Sequence, residues 1–241
     1  MRRRAPGDST VFLEGPRTLS EALDAGIEPS AVFVAESAAH APAVRDSLGR
    51  LNAGIEVLAL TDRAFESVAP AVSPQPVLAV VVRPEAELPR SLVRHDLVLV
   101  LVGVSDPGNT GTIIRTAEAC AACCVVVVGG ADPWAPKAVR ASAGSVLRVP
   151  VVQAIDAGAV LEALRAEGAA VVAADPRDGA RHDAGVLAAG KRAVALVLGS
   201  ESHGLDPSLP IDHRVRIPMA GRTESLNVAM AATLLAFETR R

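Results

Sequence analysis

The sequence predicts an α/β protein of two units, the second built on a parallel sheet. Four apolar runs carry most of that prediction: "LVLVLVGV" from Leu97, "CVVVVGG" from Cys124, "AAVVAAD" from Ala169 and "AVALVLGSE" from Ala193. None alternates polar with apolar residues, which suits strands covered on both faces. Helical stretches over residues 110–122, 136–143 and 157–167 separate them, and this alternation is the rhythm of parallel strands joined by crossover helices. The third observation is a change of composition. "RPEAELPRSLVRHD", residues 83–96, has two prolines, mixed charge and little periodicity. It divides the chain into a first unit, 1–85, a linker, 86–94, and a second unit, 95–241.

In the first unit a short strand in "VFLEG" leads to an amphipathic helix over 19–25, stopped by Gly26. A strand at Ala31–Ala35, a helix near 42–51, a strand in "GIEVLAL", a short helix after Thr61 and a strand "PVLAVVV" ending at Val82 follow. The second unit closes on a helix in "SLNVAMAATLLAFETRR", with Leu226, Met230 and Leu234 spaced by four on one face.

Of 241 residues, 50% are hydrophobic and 21% charged, the balance of a globular chain. No apolar run reaches the roughly 20 residues of a membrane span. Arg2 to Arg4 precede no apolar signal region and read as a basic tail, so a cytoplasmic address is expected. The net charge of −3 is not the footprint of an obvious nucleic-acid binder. With no Tyr, one Trp and four Phe, there is little material for stacking on bases, so any RNA contact rests on Arg, Lys and shape. Cys120, Cys123 and Cys124 have no second cysteine pair to complete a zinc site and read as reduced core thiols, with no metal expected.

Neither GxGxxG nor GxxxxGK[ST] occurs, which argues against a dinucleotide site or a P-loop. In open α/β sheets ligands bind beyond the carboxyl ends of the strands, and there the second unit places four polar loops: "SDPGNTG", "GGADPWAPKAVRASAG", "SESHGLDP" and "AGRTESLN". Each alone is an ordinary turn or helix cap.

Together and in this order they resemble the SpoU, or TrmH, family of RNA ribose methyltransferases of the SPOUT class. The first family motif is seen in "DPGNTGTIIRTAEA", the second in "LVLGSESHGLD" and the third in "IPMAGRTESLNVAMAATLLAFE". "DPWAPKAVRASAGSVLRVP" looks like the connecting segment. "FLEGPRTLSEAL" and "VSPQPVLAVV" are similar to a small substrate-binding domain related in fold to a ribosomal protein. Ala229 stands where members often have Ser, and Ala121 or Ala122 where they often have Gly.

The resemblance implies a C-terminal trefoil knot and S-adenosyl-L-methionine as methyl donor. It implies a ribose 2′-hydroxyl of structured RNA as acceptor, with ribosomal RNA favoured over transfer RNA, and a homodimer through the catalytic unit. Donor-binding residues would be Leu198, Gly199, Glu201, Gly204, Ile217, Met219, Ser225, Leu226 and Asn227. Asn109, Arg115, Glu201, Ser225 and Asn227 would form the catalytic set. Two roles stay open for Arg115: a base on the 2′-hydroxyl, or a clamp on the neighbouring phosphate, since guanidinium keeps its proton up to about pH 12. His203 is a weaker acid–base candidate. Asp106 and Pro107 would shape a turn, with Asn109 or Thr110 capping the helix. RNA would meet Arg17, Lys137, Arg140 and Arg222 as well as the basic tail. A different class of function, an inactive RNA-binding assembly factor, keeps the same fold and loses turnover.

Overall fold

The computed structural model describes residues 9–71, 73–176, 180–181, 192–200 and 204–240. The first unit is a four-stranded sheet in the order β1-β4-β2-β3, formed by β1 (Thr10–Glu14), β2 (Ala31–Ala35), β3 (Glu56–Leu60) and β4 (Val77–Val82). It is mixed: β4 runs antiparallel to β1 and β2, while β2 and β3 are parallel. Helices α1 (Pro16–Asp24), α2 (Pro42–Leu48) and α3 (Asp62–Val68) connect the strands. Helix α1 starts three residues earlier than its apolar spacing predicts because Pro16 suits a first turn that needs no N–H. Thr61 caps α3 by accepting the Ala64 N–H.

Residues 83–96 contain neither helix nor strand until β5 begins at Leu97. This segment is not a free tether: Ala86, Leu88 and Leu92 pack on the apolar cluster around Val98, Val100 and Val126. The second sheet has the order β7-β6-β5-β10-β8-β11-β9, and every pairing in it is parallel. Its strands are β5 (Leu97–Val102), β6 (Cys124–Val128), β7 (Val151–Ala154), β8 (Ala170–Ala174), β9 (Ala180–Arg181), β10 (Val194–Gly199) and β11 (His213–Arg216). The central strands are buried along almost their whole length, as continuous Val, Leu and Ala runs require.

Around it lie α4 (Pro107–Ala119), α5 (Pro136–Ala141), α6 (Ala157–Ala166) and α7 (Val228–Glu238). Helix α4 corrects an expectation: Asp106, not Asn109 or Thr110, is its cap, and Pro107 occupies the first turn. It ends before Ala121, whose φ of 48 is left-handed. Helix α7 starts later than its motif suggested, so Leu226 precedes it, while Met230, Leu234 and Phe237 stand exposed on it. Cys120 and Cys124 are buried and Cys123 is partly so, all as free thiols. Burial pushes the Cys120 thiol above its ordinary pKa.

The two units share one apolar cluster that runs from Val11, Leu13 and Leu19 to Val139 and Val146. Side chains cross the same boundary. Arg140 of α5 donates to Glu14 at the end of β1 at 2.9 Å, and Arg83 donates to Gln153 of β7.

Candidate active site

A cavity of about 380 Å³ opens beyond the carboxyl ends of β8, β10 and β11. Leu198, Gly199 and Gly204 form one wall, Ile217 and Met219 a second, and Ser225, Leu226 and α7 residues Val228, Ala231 and Leu235 a third. Its size lies within the range of small-molecule sites, roughly 300 to 1,000 Å³. Seven of the nine residues expected to hold the donor thus meet around one space. Glu201, like His203 and Arg2 to Arg4, lies outside the described residues, and Asn227 stands beside the cavity rather than in its lining.

The wall at Gly199 has no room for a side chain. A Cβ there would sit 2.8 Å from the carbonyl carbon of Gly204 and 2.9 Å from Cγ of Leu205. The chain folds back at that point: Gly204, with a φ of 69, donates its N–H to the Ser200 carbonyl at 3.0 Å. Only glycine fits this approach, and the bare peptide groups it leaves are suited to hydrogen-bond the edge of a planar base. Leu198, Ile217, Met219 and Leu226 supply apolar contact for its faces. An adenosine-bearing ligand fits this chemistry.

Asn227 ties the third loop to the first. Its Oδ1 caps α7 by accepting the N–H groups of Ala229 at 2.9 Å and Met230 at 3.4 Å. Its Nδ2 donates to Asn109 Oδ1 at 3.0 Å. Asn109 sits in the first turn of α4 and donates its N–H to Asp106 Oδ1 at 2.9 Å, and Lys137 donates to the other oxygen of Asp106 at 2.7 Å. The bond from Lys137, then that from the Asn109 N–H, holds the Asp106 carboxyl below the usual aspartate range. The hydroxyls of Thr116 and Thr233, 2.8 Å apart, bind α4 to α7 further along.

Arg115 is exposed on α4 and does not line the cavity. Among the described residues no side chain hydrogen-bonds its guanidinium, which leaves the fork open to an anion. The expected RNA cations differ. Arg222 is exposed, and Arg17, 87% exposed in its side chain, pairs with Glu21 at 3.0 Å. Lys137 and Arg140, expected from the sequence to meet RNA, each hold a carboxylate: Asp106 and Glu14.

Sequence reasoning missed the loop after β8. Ala174, Asp175 and Pro176 line the cavity, and Asp175 accepts from Arg214 at 2.8 Å. The strand-end rule that found the other loops applies equally to "AAVVAAD" and was the available signal.

The SpoU rRNA methylase family model matches residues 96–237, and the MRM3-like substrate binding domain model matches residues 2–79. The chain is 35% identical over 193 residues to the 23S rRNA (guanosine(2553)-2'-O)-methyltransferase RlmP of Bacillus subtilis, covering 79% of this chain and 75% of that one. It is 38% identical to the 23S rRNA (uridine(2479)-2'-O)-methyltransferase of Streptomyces viridochromogenes, covering 70% of this chain and 61% of that one. The crystal structure of the SpoU methyltransferase AviRb from Streptomyces viridochromogenes, in complex with the cofactor AdoMet, superposes with a TM-score of 0.83 at 30% identity, over 96% of this chain and 89% of that one.

Proposed function

The chain belongs to the SpoU rRNA methylase family, and on that premise we propose that it methylates a ribose 2′-hydroxyl of ribosomal RNA with S-adenosylmethionine as donor. The observation that carries this reading is the cavity itself. Residues of the second and third motifs close on one space together with the loop after β8, with a glycine approach at Gly199, and an Asn109–Asn227 bond ties the first motif to the third beside it.

When bound, S-adenosylmethionine supplies a methyl on a sulfonium, activated for in-line displacement. The chain's part is therefore positioning. Peptide groups at Leu198, Gly199 and Gly204 would hold the base edge, Ile217, Met219 and Leu226 its faces, and Ser225 and Glu201 would add polar contacts to the donor. Arg115 grips the phosphate beside the acceptor ribose, and Asn109, held by Asn227, orients the hydroxyl. The phosphate role suits a guanidinium better than that of base, because it must keep its proton to bind. With the donor bound, these residues would hold the acceptor hydroxyl in line with the methyl and leave its proton free to pass to solvent.

In this reading residues 1–85 recognise RNA, 86–94 connect, and 95–241 catalyse. Arg17, Lys137, Arg140 and Arg222 belong to the RNA side, with Lys137 and Arg140 sharing their charge with Asp106 and Glu14. The second unit carries a C-terminal trefoil knot, and the apolar face of α7, with Met230, Leu234 and Phe237, is the homodimer contact. The site of action is the cytoplasm. Among the described residues no helix is long and apolar enough to cross a membrane.

The test is transfer of labelled methyl from S-adenosylmethionine to ribosomal RNA, compared with transfer RNA, with Arg115→Ala as control. Transfer lost in the variant supports the reading. No transfer to any RNA, together with tight RNA binding, would replace it with an assembly factor that has lost turnover.

A further inference from the structure

We propose that α5 is a strut coupling the RNA-recognising unit to the donor cavity, with Glu14 as its positioning residue. The inference rests on the functional reading above.

The Glu14 side chain is 3% exposed, so its carboxylate needs partners. Among the described residues it has two: Oε1 accepts the Ala71 N–H at 3.1 Å within the first unit, and Oε2 accepts from Arg140 at 2.9 Å across the boundary. Arg140 lies near the end of α5, and Lys137, one turn earlier, holds Asp106 at 2.7 Å. Asp106 caps α4, Asn109 follows in its first turn, and Asn227 reaches from Asn109 into the cap of α7, whose residues line the cavity. Polar contacts joined through the backbone of α5 thus run from a buried carboxylate of the first unit to the wall of the donor site.

The line is stiff where it passes between helices. At Gly111 a Cβ would lie 2.3 Å from the Ala138 carbonyl oxygen, so α4 rests backbone to backbone on α5. Displacement of α5 is therefore carried to α4 rather than absorbed by side chains. RNA that shifts the first unit shifts the donor wall, and by linkage the donor biases the first unit.

The experiment measures the affinity of the full-length, RNA-free protein for S-adenosylhomocysteine by calorimetry. Glu14→Gln keeps an acceptor for Ala71 and loses the charge; it and Arg140→Met are each expected to weaken binding by about fivefold. The double variant should be no weaker than either alone, because the two act as one link. Arg140→Lys, which retains the charge, restores most of the affinity. Arg83→Met cuts a second polar contact between the units without touching α5 and keeps wild-type affinity, which a merely structural docking role would not predict. Wild-type affinity in Glu14→Gln, or an equal loss in Arg83→Met, overturns the strut. Absence of binding by the wild-type protein overturns the functional reading and the strut with it, and is distinguished because it is seen before any substitution.

Discussion

Replacing Gly111 by alanine sets two effects of opposite sign against each other. In the interior of α4 the change removes glycine's helix penalty and by itself stabilises by about 1 kcal/mol. The new Cβ, however, would lie 2.3 Å from the Ala138 oxygen, 2.7 Å from the Ala141 Cβ and 2.9 Å from the Ser142 nitrogen. The first contact is about 1 Å inside the roughly 3.3 Å of a close C–H···O approach, and two of the three atoms are backbone. No rotamer relieves it, so α4 and α5 must separate. Overpacking costs about 1 to 3 kcal/mol, and because backbone has to move here the upper part of that range, about 2 to 3 kcal/mol, applies, which outweighs the propensity gain. The expected net loss of about 1 to 2 kcal/mol corresponds to a fall in Tm of about 2 to 8 °C for a chain of this size. Thermal unfolding by calorimetry reads it, and S-adenosylhomocysteine affinity should fall too as Lys137 is drawn from Asp106. A Tm equal to or above that of the wild type would refute the packing argument, since propensity alone predicts that result.

Asn227→Ala should lower stability by about 1 to 2 kcal/mol through loss of the α7 cap and weaken the donor product's binding, whereas Asn227→Asp keeps the cap and recovers the stability in chemical denaturation. Arg115→Ala, at an exposed position, should leave stability within about 0.5 kcal/mol and reduce methyl transfer at least about 100-fold in a single-turnover assay. Because the folded Asp106 carboxyl is held below its ordinary value, its contribution is complete above about pH 4 and is lost as pH falls through the depressed value. The Tm difference between wild type and Asp106→Asn should therefore be constant down to about pH 4 and shrink below it. Sedimentation at neutral pH tests the proposed homodimer: the wild type should run as a dimer and Leu234→Glu, on the exposed face of α7, as a monomer.

The sheet of the second unit was legible because burial on both faces leaves no polar residue to interrupt "LVLVLV" or "CVVVV". The edge strand β7 was not, since "VVQA" is short and half open to solvent. The first unit's α/β alternation was visible, but not that β4 runs antiparallel to β1, because pairing direction depends on partners distant in sequence. In the site, the strand-end rule pointed to the polar segment after β10, and the family resemblance picked out Gly199 and Gly204 in it. The ionic partners of Lys137 and Arg140 did not: Glu14 lies 126 positions from Arg140, and no spacing rule connects them. A surface cation and an interface cation read alike until the chain is folded.

The order β7-β6-β5-β10-β8-β11-β9 has a consequence for biosynthesis. Strand β5 can pair with β6 soon after both leave the ribosome, yet its other edge waits for β10, with Leu97 meeting Val194 roughly a hundred positions later. Throughout that interval a bare Val- and Leu-rich edge is offered to other nascent chains, and closing so distant a contact is slow. The yield of native protein will therefore depend on elongation rate and on holdase chaperones more steeply than its final stability would indicate.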